Sequence, residues 1–473
     1  MWKSAGLLAL ALCGGFVSAQ DVDVEQYVRK YWRYYQDKNV EVGSGDKRWP
    51  LTPELKAERL QYFRSALERF APHHVAEASR IDRAFGWPDG TYLGILRFGA
   101  KTADKVPAAP DPSHECTSWI VMDDLTGGKS ILMHKNRDSR GRPLALLRRA
   151  MPGKHAWIGN GSQYSFYPTQ GINDRGVVVM MNSGDPLAEA DNSQYGMSTG
   201  IICRILLEEC GSAEEAVRLL EKIVRANGYT HVECGSIWFI GDRDNVHIVE
   251  HGARNFTAKP VNSGFAVRAN AFRYPEMQIY SLRSHGSLFA HARRELAVRD
   301  FLVSQQWRRN GVITPLDMAS SSRVDRVYGE PQCYPPCGKS TIAGTTFVID
   351  REYPEILSSA AMVFASPKSS CYLPVPLTVS DIPEAILDGS YSMRAFERMD
   401  KKEPFLPAEQ LAALEKRLYR RHAEAVEKAR TLLRTGTAHN VREEAAKILN
   451  EAFQLNFEEI LKEERPVAAP ASK

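Results

Sequence analysis

Apolar residues return every three or four positions through residues 24 to about 86, in VEQYVRKYWRYYQD and again, behind a Thr52-Pro53 start signal, in PELKAERLQYFRSALERF. That spacing gathers apolar side chains on one helical face, so the stretch is read as a helical N-terminal region. VPAAPDPSHE follows, rich in proline and polar residues, and marks a linker. At residue 116 the pattern changes to short apolar runs bounded by turn signals. They are SWIVMDD, KSILMHKN, GVVVMMNS, SIWFIGD and NVHIVEH joined by a tight Arg243-Asp244 turn, GFAVRAN, GTTFVID, AAMVFAS and CYLPVPL. Each is a predicted strand. Between them, IICRILLEECGSAEEAVRLLEKIVRA reads as two helices broken at Gly211, with Ser212 as the second N-cap. From Pro407 helical spacing returns in EQLAALEKRLYRRHAEAVEKARTLLR and REEAAKILNEAFQLNFEEILKE, amphipathic helices suited to packing or to dimerisation. Hairpin-like strand pairs with interspersed helices imply an α+β fold in which mainly antiparallel sheets are covered by helices.

A chain of 473 residues without a long low-complexity linker fits one large central domain, residues 116–400, with helical additions at 20–115 and 401–473. Its 61 basic and 57 acidic residues leave a formal charge of only +4 with no long single-sign run, which argues against nucleic acid as a partner. A small molecule or peptide is the better expectation. The opening MWKSAGLLALALCGGFVSA sets one lysine before an apolar run ending in Val17-Ser18-Ala19, so residues 1–19 are expected to be a signal peptide. The apolar run is shorter than the roughly 20 residues a spanning helix needs. Secretion, to a periplasm or the outside or in a eukaryote to the lysosome, follows as an expectation. Of eight cysteines, Cys13 leaves with the signal, and Cys333-Tyr-Pro-Pro-Cys337 is close enough to close a small loop. No second cysteine pair or nearby histidine completes a metal knuckle there, and neither metal nor cofactor is expected. The sequons Asn160-Gly-Ser162 and Asn255-Phe-Thr257 matter if the source glycosylates secreted proteins.

The stretch with chemistry is His114-Glu115-Cys116-Thr117-Ser118-Trp119, a strand, a Gly127-Gly128 turn, and a returning strand ending in His134-Lys135-Asn136-Arg137-Asp138. Two antiparallel strands joined by a short turn bring their far ends together, so Asp138 is expected near Cys116. A cysteine after a linker is by itself weak evidence, because free cysteines are usually small buried hydrophobes. CTSWIV, the turn and HKNRD resemble the Cys-Thr-Ser, strand, Asn-x-Asp opening of the mature N-terminal-nucleophile amide hydrolases. That group contains the choloylglycine hydrolase and penicillin V acylase family, the isopenicillin N acyltransferase family and the acid ceramidase relatives. Gly171-Ile172-Asn173-Asp174-Arg175-Gly176-Val177 through Met181-Asn182 is similar to their Gly-x-Asn-Glu-x-Gly turn and following strand.

The resemblance, which runs loosely from Cys116 to about Leu302, implies an αββα sandwich of two mainly antiparallel sheets between helix layers, with a helical propeptide before it and a helical extension after it. It implies that the bond between Glu115 and Cys116 is cut, that Cys116 is the nucleophile, and that its freed α-amine is the base. It further implies Asn182 and Asn270 as oxyanion donors, Asp138 as the group holding the amine, and an arginine of HARRELAVRDFL, Arg293 or Arg294, near the sulfur. Lys135 stands where many members carry arginine, and Arg137 lies between Asn136 and Asp138. Lysine lacks the bidentate fork of arginine, although a cation beside the sulfur still favours its thiolate. Both are assigned to substrate binding. The substrate expected is a small N-acyl amide, the cleaved N-terminal chain is expected to stay bound, and a homo-oligomer is compatible with the sequence. Two rivals stand beside this reading. SIWFIGDRDNVHIVEH, AAMVFASPKSSCYLPVPL and the helical C-terminus also resemble the secernin-related cysteine dipeptidases, and an inert binding or envelope protein on the same scaffold would keep Cys116 unexposed.

Overall fold

Strand alternation and helical spacing resolve into two stacked sheets flanked by helices. The computed structural model describes residues 41–42, 51–101, 116–139, 144–162, 167–188, 191, 193–230, 234–283, 285–308, 311–327, 330–331, 335–437 and 439–464. The expected signal peptide, the VEQYVRKYWRYYQD helix, Glu115 and Cys333 lie outside the described residues.

The N-terminal region holds α1 (Pro53–Phe70), α2 (Pro72–Phe85) and α3 (Thr91–Phe98), with the two-residue strands β1 (Glu41–Val42) and β2 (Ala100–Lys101) paired around them. The central domain opens with β3 (Thr117–Val121), β4 (Ser130–Asp138), β5 (Leu144–Arg149), β6 (Trp157–Ser162), β7 (Pro168–Asn173) and β8 (Val178–Pro186). Next come α4 (Thr199–Glu209), α5 (Ala213–Arg225), β9 (Cys234–Gly241), β10 (Val246–His251), β11 (Phe256–Pro260) and β12 (Phe265–Arg268). The chain continues through α6 (Pro275–Gln278), α7 (His285–Arg308), α8 (Pro315–Ser321), β13 (Arg326–Val327), β14 (Glu330–Pro331) and β15 (Thr341–Asp350). It ends with α9 (Pro354–Leu357), β16 (Ser359–Val363), β17 (Leu373–Pro376), α10 (Glu384–Leu387), α11 (Ser390–Asp400), α12 (Ala408–Thr435) and α13 (Val441–Glu463).

One sheet has the order β11-β10-β9-β8-β7-β6-β5 and the other β12-β3-β4-β15-β16-β17, every pairing antiparallel. The strands explain why they stack. Val178 and Met180 of β8 and Ile237 and Phe239 of β9 join Ile131, Met133 and Phe347 of the other sheet in a central core. The alternate residues Val179, Met181, Trp238 and Ile240 point outward, against Ile202 and Leu206 of α4. Strands apolar on both faces are buried on both. The result is the expected αββα sandwich, with α4 and α5 outside one sheet and α7 and α8 outside the other.

Some elements had no legible signal. β6 reads as WIGNGS, a loop by composition, yet a Cβ on Gly159 would meet Gln170 O at 2.5 Å and one on Gly161 would meet Tyr167 O at 2.6 Å. Glycine is there because β7 lies too close for a side chain. Asn160 is fully buried between the sheets and donates to Thr345 Oγ1 (2.9 Å), so the first sequon is closed to glycosylation in the folded chain. Ser212 does cap α5, accepting from Glu215 N. Leu411, Leu414 and Leu418 of α12 and Phe453, Phe457 and Ile460 of α13 enter the central core beside Leu373 and Val375, so the C-terminal helices are packing helices. Cys337 is a free thiol against Ser366 Oγ, and its expected neighbour Cys333 lies outside the described residues. Among the described residues no helix is long and apolar enough to cross a membrane.

The N-terminal helices are built into this body. Phe63, Leu67, Ile81 and Leu93 share a core with Leu147, Trp157 and Ile205. Beneath them lies a buried charge cluster. Glu77 of α2 takes a two-pronged contact from Arg204 (2.7 and 3.0 Å) and a third from Arg149 (2.9 Å). Glu208 accepts from Arg204 Nε (2.7 Å), and its other oxygen lies 2.8 Å from His73 Nε2 and 2.7 Å from His74 Nε2. Although burial pushes the Glu77 and Glu208 carboxyls up, the Arg204 charge holds them below the usual carboxylate range. His73, His74 and Glu208 bring three ligand-type atoms within 4.8 Å of one another. With the Arg204 guanidinium already on Glu208, the group reads as an ion-paired hydrogen-bond cluster.

Glu77→Gln leaves Arg149 and Arg204 without their shared carboxylate and should destabilise the fold by about 3 kcal/mol, measured by urea unfolding. Burial and the nearby Arg204 hold the His74 pKa below its ordinary 6.5, so the native imidazole stays neutral where the unfolded one takes a proton. Its contribution is therefore present above about pH 6.5 and fades as pH falls below that value, and thermal melts from pH 7.5 to 5.5 should show stability falling with acid.

Candidate active site

Cys116 lies just before β3, at the mouth where the ends of the two sheets meet, and is 6% exposed. The β3–β4 register pairs Thr117 with Asn136 and Ser118 with Lys135. Carried one step outward, it sets Cys116 across from Arg137. Alternation then turns Cys116, Ser118, Lys135 and Arg137 toward the space between the sheets. Lys135 is buried and its Nζ donates to Met181 O on the opposing sheet. Burial pulls its pKa down, while a Cys116 thiolate pulls it back up. Burial likewise lowers Arg137, opposed by the same sulfur. Both cations are thus within electrostatic reach of Cys116. Asp138 is buried and accepts from Thr341 Oγ1 at the start of β15.

The helix α7 decides between its two arginines. Arg293 faces the surface, its guanidinium 4.8 Å from the Phe289 ring centroid. Arg294, 1% exposed, points inward and donates to Cys116 O (3.0 Å), Thr117 Oγ1 (3.2 Å) and Asn270 Oδ1 (3.1 Å). Its neighbour Glu295 accepts from Ala269 N (2.9 Å) and Arg273 Nη2 (2.8 Å). Two successive helix residues thereby hold both Cys116 and the segment carrying Asn270. Behind Arg294, His291 sits between the guanidinium groups of Arg294 and Arg283, and Arg283 is paired with Asp185. Burial and these positive charges push the His291 pKa down to about 2, so it serves as a neutral spacer among arginines.

Asn182 and Asn270 both reach the site, with roles visible in their bonds. Ser118 Oγ donates to Asn182 Oδ1 (2.8 Å), and Asn182 Nδ2 donates to Arg268 O (3.2 Å) and Ala269 O (3.1 Å). Asn270 Nδ2 donates to Ser183 O (2.7 Å). In this arrangement both amides bridge the end of β8 to the chain leaving β12. The backbone carbonyls there need donors, so an oxyanion role asks at least one amide to turn away from its carbonyl. Ser118, Thr341, His291 and Glu295 had escaped the sequence reading. Glu295 was recoverable as the residue after Arg294 on the same helix turn, whereas Thr341 lies some 200 positions from its partner Asp138 and left no local signal.

Residues 125–301 match the family model described as acyl-coenzyme A:6-aminopenicillanic acid acyl-transferase. The matched segment is less than half of the chain and begins after Cys116. It bears out the resemblance to the N-terminal-nucleophile linear amide hydrolases, a group of amidases and acyltransferases. No curated protein sequence matches the chain. Among solved structures, a mutant conjugated bile acid hydrolase from Clostridium perfringens is similar at 11% identity, covering 55% of this chain and 92% of that one with a TM-score of 0.36. The N-acylethanolamine-hydrolyzing acid amidase ortholog of Caenorhabditis elegans has 15% identity, coverage of 51% and 97%, and a TM-score of 0.34. Penicillin V acylase from Agrobacterium tumefaciens has 16% identity, coverage of 57% and 88%, and a TM-score of 0.33.

Because Arg294 makes charge-assisted bonds to three buried acceptors, Arg294→Ala should cost about 2–3 kcal/mol of stability. Arg293→Ala should change it by no more than about 0.5 kcal/mol. Melting curves of the two variants side by side check the difference.

Proposed function

We propose that this chain is a secreted cysteine amide hydrolase, activated by cleavage between Glu115 and Cys116, that cuts linear amide bonds of small N-acyl substrates. The single observation that carries the reading is the grip of Arg294 on the Cys116 carbonyl. It holds the cysteine backbone at the mouth between the sheets, with Lys135 and Arg137 on the same inner face.

Before cleavage Cys116 has an amide nitrogen in place of an amine and so lacks a base. In the self-cleaving route, Sγ attacks the carbonyl of Glu115, the peptide nitrogen leaves as the free α-amine, and water hydrolyses the resulting ester of the thiol. After cleavage that amine, with an unperturbed pKa of about 7.7–8.0, takes the thiol proton near neutral pH. The thiolate attacks the substrate carbonyl and the tetrahedral oxyanion collapses to an acyl thioester. The leaving amine departs with the proton returned by the α-ammonium. Water then releases the acid, or a second amine takes the acyl group, which is the acyltransferase outcome. Lys135 and Arg137 share the inner face with the sulfur, Asp138 steadies the ammonium, and an amide of Asn182 or Asn270 turned toward the oxyanion stabilises it, such a donor being worth about 10²–10³ in rate.

The buried contacts of Glu77, His73 and His74 and the apolar packing of α1 to α3 support an N-terminal chain that stays bound after the cut. Its loss would strip Arg149 and Arg204 of their shared carboxylate.

Intact mass and N-terminal sequencing of the purified mature protein should give two co-purifying chains, the larger beginning with Cys116. A single chain continuing through Glu115 would overturn activation. Cys116→Ala should abolish both the cut and amide hydrolysis, and hydrolysis that persists would put the active site elsewhere. A screen of N-acyl amino acids, conjugated bile acids, penicillin V and dipeptides reads the substrate class, with turnover of dipeptides alone favouring the dipeptidase alternative.

A further inference from the structure

The chain from Ala269 to Tyr274, which carries Asn270 from β12 toward α6, belongs to neither strand nor helix, so its backbone N–H groups have no ladder to enter. Buried N–H groups need acceptors, and here carboxylates from three other elements supply them. Glu295 of α7 accepts from Ala269 N (2.9 Å), and Asp185 of β8 accepts from Phe272 N (3.2 Å). Glu250 of β10 accepts from Arg273 N (2.8 and 3.0 Å) and from Tyr274 N (2.9 Å). All three acids are buried, Glu250 completely. Glu295 also holds the Arg273 side chain, and Asp185 is paired with Arg283, whereas among the described residues the bonds of Glu250 go to these backbone groups alone. Burial pushes the Glu250 pKa up to about 7, opposed by the bonds from Tyr274 and Arg273 and by the Arg268 charge, with Asp185 adding to the rise. A charged acceptor is thus kept in a place that disfavours charge, and its bonds are roughly twice as strong as those of a neutral acceptor.

Strong bonds at this segment have a use at Asn270. Asn182 Nδ2 is bonded to Arg268 O and Ala269 O, and Asn270 Nδ2 to Ser183 O, so the two amides themselves help to fix the backbone. An amide that turns toward an oxyanion gives that bond up, and the segment then needs other holds. The geometry points to Glu250 as a positioning residue for Asn270, which with Glu295 and Asp185 clamps residues 269–274 while the Asn270 amide leaves Ser183 O for the oxyanion. This role rests on the amide-hydrolase reading, since the oxyanion forms only if Cys116 attacks an amide. The clamp itself stands on the hydrogen bonds. Glu250 touches no reacting atom in it and acts through Asn270 alone. Preplaced donors are what lower the barrier, and a misplacement of about 1 Å can cost about 10²-fold in rate.

A double-mutant cycle on the mature protein tests the role. Glu250→Gln keeps the shape of the side chain and removes its charge. With the amide that the wild type turns over, its kcat should fall at least about tenfold, while KM and the rate of Cys116 alkylation by iodoacetamide, which need no oxyanion donor, stay the same. Asn270→Ala should lower kcat by about 10²–10³, and adding Glu250→Gln to it should lower kcat no further, because nothing is left to position. A carboxylate with a purely structural role would subtract the same factor in both backgrounds. Melting temperatures identify the folded variants, and if Glu250→Gln does not fold, Glu295→Gln, which loosens the same segment from the side of α7, replaces it in the cycle. Unchanged kcat in the single variant, or equal losses in the two backgrounds, would overturn the proposal. If the wild type turns over no amide, the amide-hydrolase reading fails by itself, and hydrogen–deuterium exchange decides the clamp separately. Faster exchange of peptides spanning 269–274 in Glu250→Gln upholds it, and unchanged exchange overturns it.

Discussion

The Arg294 guanidinium is the contact on which the rest of the site depends. Its bonds to the Cys116 carbonyl, the Thr117 hydroxyl and the Asn270 side chain join the outer helix α7 to both strands at the mouth of the sandwich. A planar cation with several fixed donors can serve three acceptors at once, which a lysine cannot do. The site around it is crowded with other arginines. Asp185, Glu295 and the neutral His291 are what allow Arg273, Arg283 and Arg294 to lie close together. Cys116 is thus placed through its backbone, leaving the sulfur on the inner face with Lys135 and Arg137.

The N-terminal helices stand in a similar relation to the body. Their apolar faces complete the outer core of the seven-stranded sheet, and Glu77 supplies the carboxylate that two buried arginines of the central domain require. A segment read from sequence as a propeptide is therefore structurally a part of the folded protein. Packing and charge pairing of this kind tie α1 to α3 to the central domain independently of the peptide connection between them.

The hairpin from Cys116 to Asp138, the helix pair divided at Gly211 and the strands of alternating apolar residues were legible because their signals are local. Periodicity reports which face of an element is buried, and turn chemistry reports where it ends. β6 was not legible, because its glycines answer to the backbone of β7, a neighbour fixed by tertiary packing. The roles of the C-terminal helices were equally open in sequence. An amphipathic face states that something covers it, and only the fold shows that the cover is the edge of the six-stranded sheet.

By itself the sequence determined the alternation of sheet and helix and, through resemblance, the motif at Cys116 and the kind of chemistry it suits. The tertiary structure decided between Arg293 and Arg294, which are adjacent in the chain and indistinguishable by type. On a helix, consecutive side chains point about 100° apart, so one of the pair enters the site and the other faces outward. Structure also gave Asn182 and Asn270 their bridging bonds and brought Glu77 to Arg204. Each of these depends on residues far apart in the chain meeting where the sheets and helices pack, a fact that no local pattern carries.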